Sequence, residues 1–383
     1  MLRPASLIVI SLLVLGGCGK PAPGSLEKTE GHGSSPSASA STSLSTSPSG
    51  SPSSPAPRPT APSAQPKVIG TIASNLAVPW GIAFLPDRSA LVTERDSGKV
   101  LQVTGTSVRE VGQVEEARAD NEAGLLGVAV SPSYAEDHLV FFYASTGEDN
   151  RVLRTTFQNG RLGALKPILT GIPLGTNHDG GRMVFGPDKM LYVSTGESGR
   201  PELAQDRGSL GGKILRITPD GEPAPGNPDA SSPIWTWGHR NGQGLAFDAD
   251  GNLWASEFGQ DTYDELNPIQ KGHNYGWPTV EGKGDQPGMT NPQVTWSTDE
   301  ASPSGLAFLD GRLWLGALKG QRLWRVDVAG RRASAEKGFF VGKYGRIRTV
   351  VAAPDGNLWV TTSNRDGRGD PAGDDDRILL VRP

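Results

Sequence analysis

From Lys67 onward, short apolar runs alternate with turns rich in Pro, Asp and Gly, and the theme returns six times. The first copy is Gly81-Ile82-Ala83-Phe84-Leu85-Pro86-Asp87, continued by Ala90-Leu91-Val92-Thr93-Glu94. Equivalent pairs open at Gly127, Met183, Gly244, Gly305 and Val350, and the later ones lead into Leu253-Trp254, Leu313-Trp314 and Leu358-Trp359. Apolar segments of this length, bounded by turn residues, read as β-strands. Six copies at spacings of roughly 45 to 60 residues predict a ring of small antiparallel sheets, since no single sheet of this kind buries both its faces. The expectation is an all-β fold, a six-bladed β-propeller with four-stranded antiparallel blades. Such a ring gathers the loops at one end of its axis around a single site.

Composition fits a turn-rich β protein: 51 Gly and 31 Pro in 383 residues. The net charge is −4, and with no Lys/Arg-rich run nucleic acid is excluded as a natural partner. Residues before Lys67 hold Arg3, Lys20, Lys28 and Arg58 against Glu27 and Glu30, so the remainder is about −6 and any anion site in it must be locally basic. The single cysteine, Cys18, excludes an internal disulfide and a cysteine-based zinc site.

Met1-Leu2-Arg3 is followed by an apolar run, Leu7 to Leu15, too short to span a bilayer. It ends in Leu15-Gly16-Gly17-Cys18, which resembles the lipobox of bacterial lipoproteins. Residues 1–18 are therefore expected to be a lipoprotein signal peptide, with Cys18 lipidated. Residues 19–66 are Ser, Pro, Ala, Thr and Gly with hardly a large apolar side chain, a composition expected of a disordered tether. Residues 67–383 form the propeller, held outside the cytoplasm on a membrane.

Candidate chemistry lies just ahead of the repeats. Asn177-His178-Asp179-Gly180-Gly181-Arg182 precedes the third copy, Gly238-His239-Arg240-Asn241-Gly242-Gln243 the fourth, and Glu122-Ala123-Gly124 the second. Blade symmetry brings such loops together around the axis. Histidine titrates near neutrality and is the natural side chain to take a proton from a hydroxyl.

These loops, with Val78-Pro79-Trp80-Gly81, Gly124-Leu125-Leu126-Gly127 and Asn274-Tyr275-Gly276-Trp277-Pro278, resemble the soluble glucose/sorbosone dehydrogenase family. The resemblance covers nearly all of residues 68–383. It implies an aldose sugar dehydrogenase dependent on pyrroloquinoline quinone (PQQ) and calcium, oxidising sugars at C1 to lactones and passing electrons to an external acceptor. Matched residue by residue, His178 is the general base, Glu122, Arg240 and Asn241 flank the quinone, and Arg240 sits near its reactive carbonyl. Gly259 and Gln260 offer carbonyls to calcium beside the quinone, and Glu265 and Tyr275 match a second, structural calcium site. Lys319, Arg346 and Arg348 match a cationic clamp, as a planar tricarboxylate requires.

Asn177 stands where some members carry Asp, Glu122 where some carry Gln, and Gly242 where some carry Pro. Insertions tied to dimerisation and to glucose specificity are short, which predicts a monomer with a broader aldose range. Two other readings share the scaffold: a non-catalytic propeller binding glycan or protein, and a calcium-dependent lactonase. Lactonases typically hold their metal through side-chain carboxylates and amides. The histidine and basic clamp favour the redox reading.

Overall fold

The computed structural model describes residues 65–383. Cys18 and nearly all of the expected tether lie outside the described residues. Strand β1 (Lys67–Ala73) opens the ring. Blade one is β2 (Pro79–Phe84), β3 (Ala90–Glu94), β4 (Lys99–Thr104) and β5 (Ser107–Gln113). Blade two is β6 (Leu125–Val130), β7 (Leu139–Ser145), β8 (Asn150–Gln158), a two-residue β9 (Arg161–Leu162) and β10 (Lys166–Ile172). Blade three comprises β11 (Met183–Phe185), β12 (Leu191–Ser194), β13 (Lys213–Ile217) and β14 (Ile234–Trp237). Blade four comprises β15 (Asn241–Phe247), β16 (Leu253–Phe258), β17 (Tyr263–Ile269) and β18 (Val294–Ser297). Blade five comprises β19 (Pro303–Leu309), β20 (Arg312–Ala317), β21 (Arg322–Ala329) and β22 (Arg332–Phe339). Blade six is β23 (Ile347–Ala352), β24 (Leu358–Thr362) and β25 (Ile378–Arg382), completed by β1. The six-bladed, four-stranded expectation holds, with β9 as a small addition to blade two.

The aspartate after the inner strand of blades one, three, four and six has a local cause. Asp87 accepts the amide of Ser89, Asp188 that of Met190, Asp248 those of Asp250 and Asn252, and Asp355 that of Asn357. Each closes a turn with its own side chain, which is why Asp is favoured there. Blade five solves the same turn differently. Asp310 and Gly311 both take positive φ (52° and 74°) between paired Leu309 and Arg312, the geometry of a two-residue hairpin turn whose twist matches its strands.

The blades are joined by apolar layers that fill each interface around the ring. Phe142 and Leu91 lie between blades one and two, Phe141 and Leu191 between two and three, Tyr192 and Leu253 between three and four. Trp254 packs against blade five, Trp314 against blade six, and Trp359 back against blade one. The aromatic on the second strand of blades two to six is thus the filler between neighbouring sheets, a place that Leu91 takes in blade one. Closure is a β-pairing as well: Lys67 lies opposite Arg382 and Ala73 opposite Ile378.

Candidate active site

The loops that lead into the inner strands β6, β11 and β15 do converge. His178 adopts a left-handed φ of 58°, unfavourable for a non-glycine residue and kept only where the surroundings impose it. Its amide donates to Glu122 Oε2 (3.0 Å), and its carbonyl accepts from the Ser198 amide (3.0 Å). Next to it, the Gly180 amide donates to Asn241 Oδ1 (3.1 Å). A Cβ on Gly196 would lie 1.8 Å from the His178 carbonyl oxygen, so the histidine backbone sits where only glycine lets it.

His178 Nδ1 lies 2.5 Å from Glu197 Oε1. The carboxylate fixes the proton on Nδ1 and leaves Nε2, 3.4 Å from Asn177 Nδ2, as the nitrogen able to accept one. Asn177 removed one expected source of this carboxylate, and Glu197 supplies it from the loop after β12. Glu197 is 1% exposed, and its Oε2 has no hydrogen-bond partner among the described residues. The sequence reading missed Glu197; its one local signal is a lone glutamate in Gly196-Glu197-Ser198-Gly199.

Asp179 anchors the same loop. Its Oδ1 accepts from Asn150 Nδ2 (2.9 Å) and the Gly175 amide (3.2 Å), while its buried Oδ2 has no partner among the described residues. Burial pushes the carboxyl up to about 7, the two hydrogen bonds oppose the rise, and the charge of Glu122 adds to it. The folded chain therefore keeps this proton to about pH 7, whereas the unfolded chain releases it near the ordinary 3.8. That contribution to stability is complete below the unfolded value and lost as pH rises through about 7. Asn at this position keeps the acceptor and carries no charge. Thermal midpoints of Asp179→Asn relative to the parent should therefore climb between pH 4 and pH 8, and parallel profiles would refute the assignment.

A cavity of about 370 Å³ opens beside the histidine, lined by Arg95, Glu122, Gln243, Phe258, Ser302, Leu318, Lys319, Arg346, Arg348 and Arg368. Five cations thus face one carboxylate in an overall acidic domain. His178 is one hydrogen bond away, through Glu122. Arg346 and Arg348 both reach Asp366 Oδ2, at 3.0 and 3.3 Å, and the Arg348 side chain is 4% exposed. Arg348 also bonds Ser363 Oγ (3.1 Å) and Gln243 Oε1 (3.2 Å). Burial pulls its guanidinium down to about 10; Asp366 opposes the fall, and Arg95 and Arg346 deepen it. Cations crowded and desolvated in this way favour a bound anion. Lys319 lines the same cavity but is 58% exposed and pairs with Asp299 (2.5 Å). It belongs to the rim.

Arg240 is buried, and its Nε and Nη2 share Gln260 Oε1 at 3.0 and 2.6 Å. Its guanidinium lies 5.4 Å from the centre of the Trp277 ring. Burial lowers its pKa, opposed by Glu197, Glu257, Glu122 and Glu281. Asn241 is fully buried, and its Nδ2 is a donor without an acceptor among the described residues. An orphaned donor and a crowd of buried cations suit a planar polyanion.

The Gly259–Gln260 loop also presents its carbonyls. Glu281 Oε1 accepts the amides of Gln260, Asp261, Thr262 and Tyr263 at 2.6 to 3.1 Å. A trans peptide sets its carbonyl opposite its N–H, so the Gly259 and Gln260 carbonyls point away from Glu281, as hard-cation ligands must. Glu265 and Tyr275 are less open. Glu265 is buried opposite Glu257 in the strand register and bonds the Gly282 amide and Asn267. The Tyr275 phenol donates to the Pro268 carbonyl and accepts from the Gln270 amide. No group of three His, Cys, Asp or Glu side chains suited to a metal occurs among the described residues. The other residues of this layer support Arg240: His239 bonds Glu257, whose Oε1 accepts the Arg240 amide (3.1 Å).

Comparison with known proteins places this geometry among sugar oxidoreductases. Residues 76–380 match the family described as Glucose / Sorbosone dehydrogenase. The PQQ-bound aldose sugar dehydrogenase of Streptomyces coelicolor is 52% identical, superposes with a TM-score of 0.82, and aligns over 83% of this chain and 98% of its own. Aldose sugar dehydrogenase YliI of Escherichia coli K12 is 31% identical over 337 residues, 78% of this chain and 91% of that protein. Quinoprotein glucose dehydrogenase B of Acinetobacter calcoaceticus is 36% identical over 255 residues, 57% of this chain and 53% of its own length.

Proposed function

The chain belongs to the glucose/sorbosone dehydrogenase family, and from that premise we propose that it is a PQQ- and calcium-dependent dehydrogenase oxidising aldose sugars at C1 to lactones. The observation that carries this reading is a histidine–glutamate pair one hydrogen bond from a cavity lined by five cations. When bound, PQQ beside calcium supplies an electrophilic acceptor for the C1 hydride and a carrier of electrons to an external acceptor. Every other part of the task falls to the chain.

His178 Nε2 takes the proton of the C1 hydroxyl, and Glu197 stabilises the resulting imidazolium through Nδ1–H. Arg346 and Arg348 hold carboxylates of the cofactor, with Lys319 contributing from the rim. Asn241 Nδ2 and the Arg240 guanidinium would help hold it, which would give the orphaned donor an acceptor. Gly259 and Gln260 hold calcium through their carbonyls. The geometry gives weaker support to calcium at Glu265 and Tyr275, because that phenol is already committed.

The test is reconstitution: apo-protein loaded with PQQ and calcium, supplied with aldoses, and followed by reduction of a redox dye. Protein that takes up the quinone yet reduces no dye with any aldose would overturn the reading in favour of a binding propeller. Lactone hydrolysis without quinone would favour a lactonase.

The N-terminal part of the proposal is a lipid anchor at Cys18, a tether to residue 66, and an extracytoplasmic catalytic domain. Cys18→Ala is expected to move the protein out of the membrane fraction, and a chain starting at Lys67 to fold and bind quinone. Unchanged fractionation would refute the anchor, and an unfolded truncated chain would refute the boundary.

A further inference from the structure

The connection between β24 and β25 (residues 363–377) crosses the mouth of the cavity from blade six to the loop that enters blade two. Arg368 Nη1 donates to Glu122 Oε1 (3.1 Å) and Nη2 to Asn121 Oδ1 (2.7 Å), partners 246 and 247 positions away. Glu122 is held from its other side by the His178 amide on Oε2. Two residues earlier, Asp366 holds Arg346 and Arg348. One connection therefore aligns the clamp and covers the one carboxylate lining the cavity.

That carboxylate needs an answer. Burial pushes Glu122 up, but the His178 amide and then the charges of Arg368 and Arg348 hold the group below the usual range. It is ionised, in a cavity otherwise built for an anion. Arg368 is 42% exposed on its side chain, and an ion pair so exposed adds little to stability. Its contribution lies in the charge it cancels and the side chain it aligns.

We propose that Arg368 is a positioning residue that acts through Glu122, cancelling its charge toward the anionic cofactor while holding it on the His178 backbone. This rests on the quinone reading above and adds to it a residue that no sequence motif marked. In members with Gln at the Glu122 position, the proposal makes such an arginine unnecessary. Here the two side chains form one unit, and exchanging one alone unbalances the site.

The experiment is a double-mutant cycle read by titrating apo-protein with PQQ at fixed calcium, with thermal midpoints of the apo-proteins alongside. Arg368→Gln should raise the dissociation constant about 10- to 100-fold, because a cation is lost and an uncovered carboxylate gained. Glu122→Gln should tighten binding, since a negative charge leaves the cavity while the amide oxygen still accepts from His178. Glu122→Gln combined with Arg368→Gln should recover most of the loss, with the midpoints of all three variants staying together. A double variant that binds no better than Arg368→Gln, or a loss of affinity that tracks a fall in midpoint, overturns the inference. Quinone binding that depends on Arg348 but ignores Arg368 overturns it alone. Failure of the parent protein to bind quinone overturns it together with the reading it rests on.

Discussion

Replacing His178 with glutamine is expected to cut aldose turnover by at least about 10²- to 10⁴-fold, the usual worth of a positioned general base, while the protein still binds PQQ. Glutamine fills similar space and offers a hydrogen bond, but takes no proton near neutral pH. The backbone that carries residue 178 is fixed independently of its ring, by Glu122 on its amide, by Ser198 on its carbonyl and by Asn241 on Gly180. The cavity proposed for the cofactor is lined by other residues, so the quinone spectrum of the loaded variant should match that of the parent. Glu197→Gln should lose turnover through the same imidazole, because an amide stabilises an imidazolium far less than a carboxylate. Stopped-flow reduction of the loaded proteins by aldose separates chemistry from binding. Near-parent reduction in His178→Gln would assign the base elsewhere.

The second large effect is expected at Arg348. Hydrogen bonds involving charged groups are worth about 1.5–3 kcal/mol each, so Arg348→Ala should weaken quinone binding roughly 10- to 100-fold at 1.4 kcal/mol per decade. Removing it also leaves Asp366 with one guanidinium instead of two, so some folding stability should go with it. Arg348→Lys should rescue poorly, because one ammonium cannot reach Asp366, Ser363 and Gln243 together. Lys319→Ala should cost less, since that side chain is more than half exposed and already pairs with Asp299. Excess quinone should restore activity in Arg348→Ala, the proton-accepting pair being intact. Unchanged dissociation constants in both Arg346→Ala and Arg348→Ala would mean that the clamp does not exist.

The repeats were legible because most inner strands and their successors write the same pattern: small and apolar residues, a turn aspartate, then an aromatic. The aspartate closes its own turn and the aromatic fills the next interface, both local requirements that leave a mark at fixed spacing. His178, Arg240 and Asn241 were legible because they lie in the short stretches leading into those strands, Asn241 being the first residue of β15. Glu197, Asp366 and Arg368 were not. Asp366 and Arg368 lie in Asn364-Arg365-Asp366-Gly367-Arg368, a run that reads as a solvated polar turn. The partners of Arg368 come from the loop entering blade two and those of Asp366 from the other side of β24, and periodicity carries no information about which loop reaches which. Lys319 shows the reverse failure: a motif position fixed the residue, but its exposure depends on the loop around Asp299.

The pairing of β1 with β25 sets an order of events during synthesis. Blades one to five are complete within their own stretches of chain, whereas blade six waits for Ile378–Arg382 to leave the ribosome and meet a strand made more than three hundred residues earlier. Arg346, Arg348, Asp366 and Arg368 all belong to that last blade. A nascent chain therefore carries its histidine long before the proposed quinone clamp can assemble. Contacts so distant along the chain are slow to form, so the final zippering is the natural bottleneck of maturation, and cofactor capture reports that it has happened.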